Sequence, residues 1–146
     1  MSPVVEPGDG ALPGDRLPEP RVTLDAGPYW QGVRERRLLF QRCRACRGAV
    51  FPPRSVCSLC DEGGALAWEE SRGRGQIYSF STVLRPPAPV WQPRVPYTLG
   101  IVRLDEDYYM FSEILGPRAA IGIGRRVRVV FPDRGGSMPA FELDQP

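Results

Sequence analysis

The cysteines are the residues best equipped for chemistry in this chain. They stand as two pairs, Cys43-Arg-Ala-Cys46 and Cys57-Ser-Leu-Cys60, separated by residues 47–56. Two C-x-x-C knuckles at that separation can bring four thiolates onto one tetrahedral ion, the arrangement of a structural zinc site. Four thiolates leave no open position for a catalytic water. Iron in a rubredoxin-like electron carrier would use the same donors, and a secreted chain would use them for two disulfides. The sequence has no histidine, which removes a mixed Cys/His site, a His general base and a His-activated nucleophile together. Glu113 lies in an otherwise apolar stretch, and no second acid stands at a spacing that implies paired acid–base work. Asp105-Glu106-Asp107 reads as a solvated turn. With the cysteines committed to metal no nucleophile–base pair is left. The strongest signal therefore concerns architecture, and a catalytic set is not expected.

The remaining motifs carry weaker signals. Gly73-Arg74-Gly75 and Gly122-Ile123-Gly124 lack a following helix whose N-terminus would attract phosphate, so both read as turns or barrel corners. Arg125, Arg126 and Arg128 read as a solvated barrel edge. The segment Arg85-Pro-Pro-Ala-Pro-Val-Trp91-Gln-Pro-Arg94-Val-Pro-Tyr97 carries more information. A proline-stiffened loop loses little entropy on binding, and Trp with Arg is the composition of interface hot spots. It reads as a loop or as a partner contact.

The elements that must position these residues follow from pattern and composition. The 146 residues include 17 Pro and 16 Gly, which predicts many loops and few long helices. The net charge of +2, with every basic residue an arginine, is too small to advertise nucleic acid by itself. No apolar run approaches a membrane span and no signal peptide is apparent, so a cytoplasmic location with reduced thiols is expected. Residues 1–22, with Pro3, Pro7, Pro13, Pro18 and Pro20, predict a flexible tail. Pro28–Arg37 predicts a short helix, with Asp25 or Gly27 near its cap. On it Tyr29, Trp30 and Val33 share a side, Phe40 would join them if the helix continued, and Tyr29 and Trp30 read as an anchor on the protein or on a partner.

Strands are expected at Leu38–Arg42 and Ala49–Phe51, flanking the first knuckle, and around Leu66–Glu70 after Gly63-Gly64. This is the layout of a zinc ribbon, whose few apolar residues need the folding free energy of a metal. Beyond Gly73 strands are expected at Gln76–Arg85, Tyr97–Leu104 (Leu99 and Ile101 alternating), Tyr108–Leu115, Arg126–Phe131 and Ala140–Leu143. Tyr78, Phe80 and Leu84 should share one face of the first, with Ile77 and Val83 on the other. Five short strands fit a small closed barrel, with an OB-fold as the leading choice. The fold class is therefore mainly β: a short N-terminal helix and four-cysteine ribbon over residues 23–66, then a five-stranded OB barrel over 67–146.

The stretches PYWQGVRERRLLFQRCRACRGAVFPPRSVCSLC, WEESRGRGQIYSFSTVLRPP, VPYTLGIVRLDE and IGIGRRVRVVF together resemble one family, the bacterial and archaeal zinc-ribbon-plus-OB-fold proteins associated with acyl-CoA enzymes. The resemblance covers roughly residues 28–132. Arg47 departs from it, standing where a glycine often follows the knuckle, and Gly48 is expected to do the turning. The resemblance implies one structural zinc on Cys43, Cys46, Cys57 and Cys60, and a non-catalytic accessory subunit of an acyl-CoA complex. The implied partner is a thiolase-fold enzyme, either a thiolase or a lipid-transfer-protein-type retro-aldolase of steroid side-chain breakdown, with a MaoC-type hydratase as the other candidate. In such a complex the candidates for contact with the partner or with CoA, chosen by residue type and setting, are Tyr29, Trp30, Arg85, Trp91, Arg94 and Tyr97, with Arg suited to CoA phosphates and an aromatic to adenine. The competing function is a single-stranded nucleic-acid-binding module, since zinc ribbons and OB barrels both serve that role. Tyr78 and Phe80 would then stack bases, although their alternation also suits a core.

Overall fold

The computed structural model describes residues 17–60, 65–133 and 138–145. The expected flexible tail lies outside the described residues as far as residue 16, and so does the Gly63-Gly64 turn. A 3-10 turn at Leu24–Ala26 leads into α1 (Gly27–Arg34), followed by β1 (Leu39–Cys43), β2 (Ala49–Val50) and β3 (Leu66–Glu70). Then come β4 (Arg74–Val83), a 3-10 turn at Pro89–Arg94, β5 (Tyr97–Leu104) and β6 (Tyr109–Leu115). A third such turn at Arg118–Ala120 precedes β7 (Arg126–Val130) and β8 (Ala140–Leu143).

Helix α1 has Pro28 in its first turn, where a missing N–H costs nothing, and no side chain caps it. It stops before the expected Arg37. Arg36 turns to a φ of 60°, and the Arg37 N–H bonds back to the Gly32 carbonyl at 2.7 Å, satisfying a helix-end acceptor. Phe40 reaches the core that holds Tyr29 and Val33 from strand β1, not by continuing the helix.

Strands β2-β1-β3 form an antiparallel sheet, and β4-β5-β6-β8-β7 close a barrel. The barrel is antiparallel except between β6 and β8, and closes through Arg74, Gly75 and Gln76 opposite Arg128, Val127 and Arg126. A closed five-stranded barrel in this order is an OB-fold. Gly100 of β5 has no room for a side chain: a Cβ would lie 2.7 Å from the Ser79 carbonyl. Gly73, with φ +68° and a Cβ position filled by Val129, turns the chain from ribbon to barrel.

One core runs through both parts. Tyr29, Val33, Leu38, Phe40 and Ala49 pack in a single cluster with Ile77, Val102, Leu104, Tyr108, Ile114, Val127 and Phe141. At its centre the Phe40 and Tyr108 rings stack at 4.9 Å, and Phe51 lies 5.3 Å from Tyr108 and 5.6 Å from Tyr29. Burial pushes the Tyr29 and Tyr108 hydroxyls well above the usual phenol range.

The outer face of the barrel departs from the expected pattern. The pairing of β4 with β5 shifts between Ile77 and Ser79, and such a bulge re-aims the side chains beyond it. Ile77 is buried, whereas Tyr78, Phe80 and Leu84 are 57%, 39% and 62% exposed, so these three do not form a core face. In β5 the buried residues are Thr98, Gly100, Val102 and Leu104, leaving Leu99 and Ile101 half-buried on the outside. Asp105-Glu106-Asp107 is likewise more than a solvated turn. Asp105 pairs with Arg126 and Asp107 with Arg103, while Glu106 accepts from the Ser71 hydroxyl in the link between ribbon and barrel.

Candidate metal centre and outer-face groove

The four cysteines converge. Cys43 ends β1, Cys46 follows in the turn before β2, and Cys57 and Cys60 come from the loop beyond it, with all four sulfurs within 4.8 Å of one another. The Cys43–Cys60 and Cys46–Cys57 sulfurs are each 3.8 Å apart. A tetrahedral ion with Zn–S bonds of about 2.3 Å places its ligands about 3.8 Å apart, so the donor set fits zinc. That spacing is far beyond a disulfide bond. The Leu59 N–H points at the Cys57 sulfur (3.3 Å), and the Cys46 N–H points at the Cys43 sulfur (3.5 Å), where it favours the thiolate.

These contacts separate the thiols. Cys43 is pulled down to about 7, first by the Cys46 N–H and then by that of Ala45. The Cys46 sulfur accepts from the Gly48 N–H, yet desolvation and the three neighbouring thiols push it up to about 11. Four thiols this close do not all ionise without a cation among them, and a divalent metal supplies it. Arg47, not Gly48, turns the knuckle, with a φ of 65°. The left-handed conformation costs a non-glycine residue about 1–2 kcal/mol. At Gly48 a Cβ would meet the end of the exposed Leu59 side chain, which can move aside, and would lie 3.3 Å from the Cys46 sulfur.

The remaining candidate residues fall in two places. Tyr29 is buried, with Trp30 half-buried at 4.9 Å from it, and both lie against the shared core. Trp91, Arg94 and Tyr97 come together on the outer face of the barrel, where they line a groove of about 490 Å³. The Trp91 and Tyr97 rings are 5.7 Å apart and the Arg94 guanidinium is 5.9 Å from the Trp91 ring. Arg85 is exposed and does not line the groove. The groove is also lined by Leu99, which the sequence placed only in a strand pattern, and by Phe111 and Met138, which sequence reasoning did not single out. The available signal was apolar character on both faces of β5 and β6, where a barrel strand normally alternates. Close by, Tyr78 and Tyr109 make an edge-on pair at 5.1 Å, and Tyr109 and Phe111 are 46% and 71% exposed. Among the described residues, Arg103 and Arg126 are tied to Asp107 and Asp105.

Comparison with known proteins follows the same division. Residues 30–67 match the family described as "ChsH2, rubredoxin-like zinc ribbon domain", and residues 68–132 match "ChsH2, C-terminal OB-fold domain". A "DUF35 domain-containing scaffold protein" of Methanothermobacter thermautotrophicus is 32% identical over 104 residues, covering 70% of this chain and 77% of its own length. A "probable enoyl-CoA hydratase alpha subunit" of Thermomonospora curvata is 32% identical over 101 residues, 68% of this chain but 30% of that one. The "3-oxo-4,17-pregnadiene-20-carboxyl-CoA hydratase alpha subunit" of Mycobacterium tuberculosis is 30% identical over 99% of this chain and 45% of its own. The chain thus spans less than half the length of either hydratase subunit. Among solved structures, a chain of an "Ltp2-ChsH2(DUF35) aldolase" superposes with a TM-score of 0.74 at 27% identity, covering 86% of this chain and 98% of that one. Among the described residues no helix is long and apolar enough to cross a membrane.

Proposed function

The chain belongs to the zinc-ribbon-plus-OB-fold family of the DUF35 scaffold proteins and ChsH2, and on that footing we propose that it is an accessory subunit of an acyl-CoA-processing enzyme. The single observation that carries this reading is the outer face of the barrel, where Tyr78, Tyr109 and Phe111 are exposed beside the Trp91–Arg94–Tyr97 groove. Contiguous exposed apolar surface marks an interaction site, and rigid aromatics with arginine are what such sites use for affinity. The aldolase name of the structural relative favours a thiolase-like retro-aldolase as the partner, and the two hydratase names make a hydratase the next candidate. In this reading the reacting groups belong to the partner. Zinc on Cys43, Cys46, Cys57 and Cys60 orders the ribbon, and Trp91, Arg94 and Tyr97 contact the partner or the CoA portion of its substrate.

The experiment is affinity capture from a native extract with the zinc-loaded chain, followed by reconstitution with the purified enzyme so identified. A thiolase-like enzyme at near-equal amount, bound less tightly by Trp91→Ala and Arg94→Ala, supports the reading. Unchanged affinity in both variants removes the groove from the interface. The exposed aromatics also favour a second reading, binding of single-stranded nucleic acid by base stacking. Its flanking arginines are engaged by aspartates, which weakens it. Salt-sensitive binding of an oligonucleotide, lost in Phe111→Ala, would favour it instead.

A further inference from the structure

The outer-face groove is already lined by one polypeptide segment, the chain's own Leu17-Pro18-Glu19-Pro20. Leu17 and Pro20 are half-buried while Pro18 and Glu19 are exposed. A spacing of three between covered residues is the period of the polyproline helix, which repeats every three residues, and two prolines in four hold φ near its value. The other side of the groove offers what such segments bind. Trp91, Tyr97 and Phe111 line it, and aromatic-lined grooves take proline ridges at little entropic cost because the ligand is stiff beforehand. The groove is stiff as well: Trp91 is held in the 3-10 turn Pro89–Arg94, and Pro87, Pro132 and Pro139 are part of the lining. Two preformed surfaces of matching chemistry line one groove of about 490 Å³.

We propose that this groove is a docking site for an extended proline-rich segment, and that its occupant is the chain's own Leu17–Pro20, which forms one wall of it and closes onto the rings. The segment acts as a strap poised to close over Trp91 and Tyr97, and in the open arrangement Phe111 is 71% exposed. A strap tethered a few residues ahead of the Leu24–Ala26 turn acts at an effective concentration on the order of millimolar, so even weak intrinsic affinity keeps it seated. The inference concerns this chain alone and stands whether or not the partner is a thiolase-like enzyme.

The test compares the full chain with one lacking residues 1–20, each titrated with a synthetic peptide of residues 12–23. Binding is followed by calorimetry and by tryptophan emission, with Trp91→Phe identifying the Trp91 signal. The shortened chain should bind the peptide and the full chain should bind it at least about tenfold more weakly, because its own strap competes. A peptide with Leu17→Ala and Pro20→Ala, which leaves the protein untouched, should lose about tenfold or more in affinity, as should the shortened chain carrying Trp91→Ala. No binding to the shortened chain would overturn the proposal, as would equal binding to both chains or undiminished binding by the doubly substituted peptide. A further arm titrates both chains with laurate. Equal binding of laurate by both would show an uncovered pocket for an acyl chain and overturn the strap.

Discussion

At the tip of the ribbon, the buried cluster consists of Cys43, Val50 and Cys57, with Cys60 and Leu66 partly buried beside it. At the other end, the barrel closes around Ile77, Val102, Leu104, Met110, Ile114, Val127 and Phe141. One apolar side chain with a single partly covered neighbour cannot offset the entropy of ordering two knuckles, whereas a closed barrel with that core can. The difference teaches where the metal acts. Zinc replaces a missing core at the tip only, because the base of the ribbon, at Leu38, Phe40 and Ala49, already shares the core of the barrel. The molecule is less two domains in series than one body with a metal-clamped extension.

The largest test of that contrast is removal of the metal site. Cys57→Ser, or chelation, should forfeit a metal contribution on the order of 10 kcal/mol. Hydrogen exchange should then find residues 43–60 unprotected while β5 and β6 keep their protection. Loss of the barrel along with the tip would break the comparison. Next comes Phe40→Ala, which deletes the ring stacked on Tyr108 at 4.9 Å. A loss of about 3–5 kcal/mol is expected in denaturant unfolding. Here α1, the ribbon base and the barrel should loosen together, and loosening confined to the ribbon would refute the shared core.

A smaller effect is expected at the link. Ser71 donates to Glu106 and accepts from the Gly73 N–H at 2.9 Å. Ser71→Ala strands the buried donor and should cost about 1–3 kcal/mol in urea unfolding, with Ser71→Thr recovering part of it. The smallest is Arg126→Ala, which breaks an exposed pair with Asp105 (2.6 Å) and should cost less than about 1 kcal/mol. Its signature lies in pH. Hydrogen bonding from Arg126 is the first cause of the lowered Asp105 pKa. A group whose folded pKa is depressed contributes stability that is complete above its unfolded value, and that stability is lost as pH falls through the folded one. The variant should therefore differ from the parent near neutrality and converge with it in acid, and a constant gap across the acid limb would contradict the assignment.

Several of these features were legible from residue order alone. The knuckle spacing implied a metal site because four thiols in two pairs, each with two residues between its members, have few other arrangements, and the closed barrel followed from short β-rich runs between turn residues. Helix α1 was placed correctly at its start, where proline acts locally, and too long at its end. Its stop depends on Arg36 entering the left-handed region and on a bond from Arg37 back to Gly32. Arg47 rather than Gly48 takes the knuckle turn with a φ of 65°, which its residue type does not announce, because glycine is the residue that adopts that region freely.

Residue types and spacing thus determined the elements, the metal donors and the barrel by themselves, since capping, turn geometry and metal coordination operate over a few neighbouring residues. Which face of each strand points inward was decided only in three dimensions. A one-residue shift in the pairing of β4 with β5 leaves Ile77 opposite buried Val102 but sets Phe80 and Thr82 opposite buried Gly100 and Thr98, so the alternation with a period of two changes phase within the strand. The same closure brings Leu17, Trp91, Tyr97 and Phe111, distant in sequence, around one groove. No local pattern specifies that meeting, because it arises from how the barrel closes and where its longest loop then has to lie.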